Sequence, residues 1–232
     1  MTAPSSPTWQ VLDSGPCDYA FNMALDEALL EAAASAASAV LRFYAWKQPA
    51  ASFGYFQKIA DLESITLLRP LVRRTTGGGL VPHDRDWTYS IIIPPGHDWY
   101  ELRAPESYER AHRWIQYAFA LLGVVTELAP CCRKEVPGQC FVGYERSDVL
   151  WSGRKIAGAA QRRTRSGLLI QGSVQPPPPG VSRAAWQEAM LRSGPTGEPL
   201  NIGQRQVPAY VAERAAVLAA ERYSQDTHNR RR

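Results

Sequence analysis

The 232-residue sequence lacks the features that mark membrane and secreted proteins. It has no uninterrupted run of about 18 apolar residues, so no transmembrane helix is expected. Its first residues, MTAPSSPTWQ, contain no basic region followed by an apolar stretch, which argues against a secretory signal. We therefore expect a cytoplasmic protein that has no membrane partner.

Cysteine is scarce, and its spacing matches neither a disulfide framework nor a structural zinc site. The four cysteines include the adjacent pair Cys131 and Cys132 but no Cys-X-X-Cys pair. The four histidines show no metal-ligand spacing either, so no metal site is expected. The Walker A phosphate loop and the GxGxxG fingerprint are also missing, which excludes two common nucleotide-binding motifs.

An excess of one charge is missing from most of the chain. The net charge is +4, and Arg230, Arg231 and Arg232 supply three of those charges, which leaves +1 for the rest. A nearly neutral body offers no electrostatic face for nucleic acid, so nucleic acid is not an expected partner. We expect one domain over residues 1–212, followed by the end of the last helix and a frayed basic tail over residues 213–232.

The sequence does contain enough apolar residues, 45%, for a substantial core. Helix-like patterns occupy four segments, at 21–38, 105–122, 184–191 and 208–223. Alternation typical of strands runs through 40–46, 52–56, 71–74 and 88–93, and further strands are expected at 124–127, 148–151, 155–161 and 168–174. The strands cluster between helices without a regular βαβ rhythm, which predicts an α+β fold with a central mixed, mainly antiparallel sheet flanked by helices. On the first helix, Asp26 and Glu27 are expected in solvent or at a helix-packing contact.

The most unusual stretch is RRTTGGG at residues 73–79, which is followed by His83 and Asp84. Bare backbone lets the chain approach a ligand closely, and free N–H groups can hold an anion. Alternation at the end of a strand sends Arg73 and Arg74 to opposite faces, so one guanidinium can lie over the loop. A plain glycine hairpin with two surface arginines fits the pattern equally well, and His83 fits either a base or a turn residue capped by Asp84.

A second candidate is Lys155, in a hairpin that turns at Ser152-Gly153. Small residues follow this lysine, which could place its cation beside an acyl carbonyl, although a lone lysine is more often a surface residue. Cys140 lies in the loop before the hairpin. It could act as a nucleophile if Lys155 or His83 lowered its pKa, but a buried apolar cysteine is the commoner case.

In their order along the chain, these stretches resemble the biotin/lipoate protein ligase family, specifically its lipoate-protein ligase and octanoyltransferase branch. The resemblance extends from about residue 10 to about residue 190. The motifs that carry it are Asn22–Leu29 on the first helix, RRTTGGG with His83-Asp84, Ser147–Gln161 around Lys155, and the strand Leu168–Val174. Each motif alone is weak, whereas their conjunction is specific.

The resemblance implies the catalytic domain shared with class II synthetases and biotin ligases, without a separate accessory domain. It also implies a tunnel for an octanoyl or lipoyl group, which is delivered to a lysine of a lipoyl carrier domain. Lys155 would contact the acyl carbonyl oxygen and stabilise its charge. The residues that would line the acyl group or its adenylate are Arg73, Arg74, Thr76, Gly77, Gly78, Gly79, His83, Gly158, Ala159, Gln171 and Gly172.

Within this branch the resemblance leaves two chemistries open, neither with a permanently bound cofactor. An octanoyltransferase takes the acyl group from acyl carrier protein through a cysteine thioester, and Cys140, 15 positions before Lys155, resembles that nucleophile. A lipoate-protein ligase uses ATP and Mg²⁺ to make lipoyl-AMP, and Ser147-Asp148 resembles the Asn-Asp of ATP-using members. The roughly 40 residues after the core are too few for an independent ligase accessory domain, which favours transfer, although some ligases receive that domain as a separate chain.

One position departs from the family pattern, because Gln171-Gly172 stands where His-Gly is usual. Glutamine donates and accepts hydrogen bonds but does not titrate. If the position only orients a substrate, activity survives the change. If the position moves a proton, the chain would instead be a non-catalytic acyl-binding or carrier-docking homologue.

Overall fold

A computed structural model describes residues 9–134, 140–204 and 206–231. The strands are β1 (Trp9–Cys17), β2 (Ala39–Trp46), β3 (Ala50–Phe53), β4 (Leu71–Arg73), β5 (Val81–His83), β6 (Trp87–Ile93), β7 (Glu127–Leu128), β8 (Arg133–Lys134), β9 (Gly143–Tyr144), β10 (Val149–Trp151), β11 (Arg154–Thr164), β12 (Gly167–Val174) and β13 (Ile202–Gln204). The helices are α1 (Tyr19–Ala32), α2 (Ile59–Glu63), α3 (Asp98–Glu101), α4 (Ala104–Leu121), α5 (Arg183–Ser193), α6 (Ala209–Leu218) and α7 (Asp226–Asn229). A 3₁₀ turn at Ala33–Ser35 follows α1, and a π-helical turn at Ala219–Tyr223 continues α6.

The central sheet has eight strands in the order β13-β1-β2-β6-β12-β11-β10-β7. Strand β1 runs parallel to both β13 and β2, and each of the other neighbouring pairs is antiparallel. A smaller sheet, β4-β3-β5, carries the glycine loop between β4 and β5. The predicted α+β fold with a mixed, mainly antiparallel sheet is therefore confirmed.

Helices cover both faces of the central sheet, because its middle strands are apolar on both sides. In β6, Ile91 and Ile93 pack with Trp114 of α4, whereas the intervening Ile92 packs with Leu25 of α1. This follows from the two-residue period of a strand, which sends successive side chains to opposite faces. Strand β12 divides its side chains in the same way, so the sheet lies between two apolar layers.

Helix α1 carries its acidic pair inward. Of the two environments expected for Asp26 and Glu27, the packed one is found, and both carboxylates are buried. Asp26 accepts hydrogen bonds from Arg42 at 2.6 Å and from Ser90 at 2.7 Å. Glu27 accepts one from the Tyr223 hydroxyl at 2.6 Å. These bonds tie α1 to the sheet and to the C-terminal segment.

The C-terminal segment differs from the expectation of a frayed tail. The expected boundary between residues 212 and 213 falls inside α6, and after the π-helical turn the chain forms α7, which contacts β4. His228 and Asn229 are buried there. The expectation of a frayed tail was wrong for Asp226–Asn229, because the carbonyl oxygens of His228 and Asn229 accept hydrogen bonds from the buried guanidinium of Arg73. None of the helices in the described residues is long and apolar enough to cross a bilayer.

Candidate active site

A cavity lies beside the glycine loop, between the small sheet and strands β11 and β12. Its lining comes from α1, both sheets, the glycine loop and the segment at residues 140 and 141. The lining residues are Met23, Tyr44, Ser52, Arg74, Val81, His83, Thr88, Cys140, Phe141, Lys155, Gly158, Ala159, Ala160, Gln171, Gly172 and Ser173. Most residues that the sequence analysis selected are thus brought to one place.

Arg74 holds the glycine loop from the inside. Its guanidinium donates to the carbonyl oxygens of Gly77 at 2.8 Å and Gly79 at 2.7 Å, and to the Ser52 hydroxyl at 3.1 Å. Burial lowers the pKa of Arg74, and its attraction to Cys140 opposes that shift. The prediction that one guanidinium lies over the loop holds for Arg74, which places a positive charge beside a thiol.

The Cys140 sulfur faces this loop. Its Sγ accepts a hydrogen bond from the Gly79 N–H at 3.0 Å, and its own N–H donates to the Leu80 carbonyl at 3.1 Å. Gly78, the residue before Gly79, has φ +85°, and a Cβ added to it would lie 2.9 Å from the Arg74 guanidinium. The Arg74 cation and the Gly79 N–H donor therefore meet at one sulfur.

Lys155 approaches Cys140 from the other wall. Its Nζ donates to the Cys140 carbonyl at 2.7 Å and pairs with Asp148 Oδ2 at 2.8 Å, and the side chain is only 6% exposed. A Cβ on Gly158 would lie 2.5 Å from Lys155 Cε, so this glycine makes room for the lysine itself rather than for a substrate. The surface-lysine alternative does not apply to Lys155.

Asp148 is the anchor of Lys155, and the sequence analysis did not include it in the site. The carboxylate is fully buried and accepts hydrogen bonds from the Tyr108 hydroxyl at 2.5 Å and the Glu145 N–H at 2.7 Å. Burial, reinforced by the charge of Asp148, raises the pKa of Tyr108, so its hydroxyl remains a donor. The position of Lys155 therefore depends on a residue of α4 that no motif indicates.

Gln171 is occupied by protein partners on both sides. Its Oε1 accepts from the Thr76 hydroxyl at 2.7 Å, and its Nε2 donates to Asp26 Oδ2 at 2.8 Å. Thr76 thus points to Gln171. The neighbouring Gly172 is required by packing, because a Cβ there would lie 2.1 Å from the ring of Tyr89. Both ends of the Gln171 amide are therefore hydrogen-bonded within the protein.

Arg73 is not part of the cavity lining, which corrects its expected role in contacting the acyl group. Its guanidinium donates to the carbonyl oxygens of Tyr55 and Gln57, both at 2.7 Å. It also reaches those of His228 at 3.1 Å and Asn229 at 3.0 Å. The two arginines do point to opposite sides of the chain, as predicted. Arg73 lies on the side of the loop away from the cavity, called the back here, where the C-terminal segment packs.

His83 is held by three residues that the sequence analysis missed. Its ring stacks on Trp46 with 3.9 Å between centroids, Nε2 lies 2.8 Å from Ser52 Oγ, and Nδ1 lies 2.8 Å from Asp86 Oδ2. The expected cap, Asp84, is therefore wrong, because the tight turn between β5 and β6 presents Asp86 instead. In the described part of the chain, no group of three or more His, Cys, Asp or Glu side chains is arranged to hold a metal ion.

Comparison with known proteins agrees with the resemblance found in the sequence motifs. The family model of the lipoyl protein ligase A/B catalytic domain matches residues 18–175. The octanoyltransferase LipM of Anoxybacillus flavithermus is 36% identical over 179 residues, which cover 72% of this chain. The chain spans only 64% of the length of that relative.

Two solved structures share the fold. Lipoate-protein ligase A bound with ATP has a TM-score of 0.75 at 19% identity, covering 97% of this chain and 98% of that chain. A bi-partite lipoate protein ligase from Thermoplasma acidophilum, described together with its E2 lipoyl domain, has a TM-score of 0.72 at 20% identity, covering 97% and 96%. At these identities the likeness establishes the architecture and not the reaction.

Proposed function

Because the chain belongs to the lipoyl protein ligase A/B catalytic domain family, we propose that it transfers an octanoyl or lipoyl group to a lysine of a lipoyl carrier domain. The acyl group passes through a thioester on Cys140. The observation that carries the proposal is the placement of the Cys140 sulfur, which meets the Gly79 N–H and the Arg74 cation in a cavity that Lys155 also lines. The octanoyltransferase relative supports transfer of an octanoyl group over ATP-dependent ligation. We place this reaction in the cytoplasm.

The first half-reaction loads the enzyme. The Cys140 thiolate attacks the carbonyl carbon of a donor thioester, with acyl carrier protein as the proposed donor. A carbon–sulfur bond to Cys140 forms, the donor carbon–sulfur bond breaks, and the donor sulfur leaves as a thiol after taking up a proton. Lys155 uses two of its three N–H groups on Asp148 and the Cys140 carbonyl, so the third can stabilise the oxyanion.

The second half-reaction unloads the enzyme. The neutral amine of the carrier lysine attacks the Cys140 thioester, an amide bond forms and the cysteine leaves. Gly77, Gly78 and Gly79 are not among the residues that line the cavity, and the glycine loop contributes instead the Gly79 N–H that binds the Cys140 sulfur. Lipoate or octanoate is therefore the proposed substrate group, and no permanently bound cofactor is required.

ATP-dependent ligation is the second candidate, and it is favoured by the ligase fold of the neighbours. It would require ATP with Mg²⁺ and, as in the bi-partite ligase, a further chain could complete it. The acidic group that resembles the ligase motif is Asp148, whose oxygens already bind Lys155, Tyr108 and the Glu145 N–H. This use of the carboxylate supports transfer rather than ligation.

The test measures intact mass after incubation with octanoyl-acyl carrier protein. We expect a stable octanoyl adduct on the wild-type protein and on Cys17→Ser, a matched control because Cys17 lies at the end of β1 outside the cavity lining. The adduct should be absent from Cys140→Ser and should move to a lipoyl domain when one is added. An adduct that persists in Cys140→Ser contradicts the proposal.

The same protein incubated with ATP, Mg²⁺ and lipoate separates the remaining candidates. Formation of lipoyl-AMP without a Cys140 adduct would establish the ligase alternative. Acyl binding without transfer in either assay would leave the non-catalytic carrier-docking homologue.

A further inference from the structure

Resting on the proposed function, we infer that Ser52, His83 and Asp86 form a proton relay that deprotonates the incoming carrier lysine in the second half-reaction. Aminolysis of a thioester needs a neutral amine, whereas a free lysine is an ammonium at neutral pH because its reference pKa is about 10.4. The loading step has no lysine amine to deprotonate, since its nucleophile is the Cys140 sulfur. The relay therefore belongs to one half-reaction and not to the other.

The direction of the hydrogen bonds in the relay follows from its chemistry. An ionised carboxylate only accepts, so the 2.8 Å contact of Asp86 Oδ2 places the proton of a neutral His83 ring on Nδ1. The opposite nitrogen, Nε2, is then an acceptor, and the Ser52 hydroxyl at 2.8 Å donates to it. Arg74 donates to Ser52 Oγ at 3.1 Å, which agrees with that orientation.

Neighbouring side chains restrain both His83 and its partner Asp86. The His83 ring lies nearly parallel to Trp46, with an interplanar angle of 16°. Asp86 is itself held by the Thr88 hydroxyl at 3.0 Å and the Ser173 hydroxyl at 2.7 Å. Burial alone would raise the pKa of Asp86, but its pKa is lowered because the attraction of His83 and these hydrogen bonds outweigh burial. A group so restrained meets the positional demand on a general base.

Lys155 does not fill this role. An ammonium has three donors and no acceptor, and the Lys155 ammonium is paired with the buried Asp148 at 2.8 Å. Its remaining contact is the Cys140 carbonyl at 2.7 Å. Held as a cation, it can stabilise negative charge but cannot take up another proton. Among the groups lining the cavity, His83 carries a ring nitrogen that can accept a proton, and Asp86 is a prearranged partner for the positive charge that the ring then gains.

The proposed step balances in protons and bonds. One proton of the lysine ammonium passes to Ser52 Oγ as the Ser52 proton passes to His83 Nε2, which leaves a neutral amine and an imidazolium paired with Asp86. The amine then attacks the thioester carbon, the carbon–nitrogen bond forms and the carbon–sulfur bond to Cys140 breaks. The second amine proton goes to the departing sulfur. The products are the amide, the Cys140 thiol and protonated His83.

The test uses the isolated acyl-enzyme of His83→Gln and two nucleophiles at pH 7. The first is the lysine of a lipoyl domain, and the second is hydroxylamine, which is already neutral at that pH. For His83→Gln we expect the single-turnover rate with the lipoyl domain to fall at least roughly a hundredfold, because general acid–base catalysis usually contributes that much. The rate with hydroxylamine and the rate of acyl-enzyme formation should stay within about threefold of wild type.

His97→Gln is the matched control. His97 also pairs with an aspartate, Asp98, at 2.7 Å, and it packs against Trp9 rather than the cavity. This variant should transfer normally to both nucleophiles. Ser52→Ala and Asp86→Asn should reproduce the selective loss, and they keep the inference testable if His83→Gln does not fold.

Equal losses with both nucleophiles, or no loss with the lipoyl domain, would overturn the relay. Failure of the proposed function gives a different result, because wild-type protein would then form no Cys140 thioester at all. A purely structural role for His83 would lower the melting temperature and slow both nucleophiles together.

Discussion

The loop of residues 73–79 has a back and a front, and two adjacent arginines divide between them. Both guanidinium groups are buried and both bind carbonyl oxygens. Arg73, at the back, joins the loop to the C-terminal segment, with Asn229 Oδ1 accepting from its backbone N–H at 2.8 Å. Arg74, at the front, joins the loop to Ser52 and lines the cavity. Identical side chains thus hold the C-terminal segment on one face and line the cavity on the other.

The difference shows how a flexible glycine sequence becomes a defined wall. Glycine loses more conformational freedom on folding than other residues, so the loop needs contacts that compensate for this loss. The back supplies such contacts through Arg73 and the last helical turn, while Arg74 binds the carbonyls of Gly77 and Gly79 directly. Each substitution below separates these two roles further.

The largest effect is expected at the front, in Lys155→Met. Removing one charge-stabilising contact from a buried site raises the barrier by about 2.7–4 kcal/mol, so transfer should fall at least roughly a hundredfold. Single-turnover transfer from octanoyl-acyl carrier protein to a lipoyl domain measures this change. A fall below tenfold would make Lys155 peripheral to the reaction.

The paired variants Arg73→Met and Arg74→Met test the comparison directly. Arg73→Met leaves several buried carbonyl groups unpaired and should lower the free energy of unfolding by roughly 3 kcal/mol. The rate of its folded fraction should change little. Arg74→Met should reduce Cys140 acylation at least about tenfold, because about 1.4 kcal/mol of lost stabilisation is enough for that change.

Urea unfolding and intact-mass acylation, measured on both arginine variants, give the result. If both variants lost unfolding free energy and acylation rate in the same proportion, the loop would respond as one unit. The division between front and back would then be wrong.

Gln171→Leu is expected to have a smaller effect, on stability more than on rate. The change leaves the Thr76 hydroxyl without its acceptor and removes one donor from Asp26, which should cost about 1–3 kcal/mol of unfolding free energy. Transfer should stay within about tenfold, since the arrangement needs no proton from this position. A loss comparable with that of Lys155→Met would show that Gln171 acts on the substrate.

The smallest effect is a pH dependence at the back. Burial lowers the pKa of His228 from 6.5 to about 4, and the charges of Arg222, Arg231 and Arg73 contribute. The unfolded chain binds this proton first, so the stability contribution is complete above pH 6.5 and declines as the pH falls toward 4. His228→Gln should flatten the pH dependence of unfolding in that window without changing transfer at pH 7.

The control for this pH dependence is another buried histidine. His112 also has a pKa lowered to about 4 by burial, and it titrates in both proteins. Subtracting the two unfolding curves therefore isolates His228. Parallel curves for wild type and His228→Gln would contradict its assignment.

Local patterns predicted the fold class and the main helices, because apolar periodicity reports the face that each element buries. The helix expected at 105–122 is found at Ala104–Leu121, and the turn at Ser152-Gly153 has positive φ at both residues. Less regular segments were harder to place. The strand Glu127–Leu128 begins where a strand was expected to end, since so short an element depends on pairing with β10 rather than on its own pattern.

The candidate site was predicted in part. Cys140 and Lys155 were selected by their spacing and by the family resemblance, and they meet through a 2.7 Å hydrogen bond. The groups that position Lys155 are Tyr108 and Asp148, which lie 40 positions apart in the chain and meet only in the folded protein. The partners of His83 were missed for the same reason, because a lone serine in a strand or a lone aspartate between two strands carries no local signal.

The sequence alone determined the family motifs, the periodic core and the fact that consecutive arginines at the end of a strand face opposite ways. Alternation in an extended chain is a local property, so no tertiary contact is needed to predict it. Only the tertiary structure decided which arginine joined the active site. Arg73 is assigned to the back because its partners, His228 and Asn229, lie more than 150 positions away and close on it only after the chain has folded.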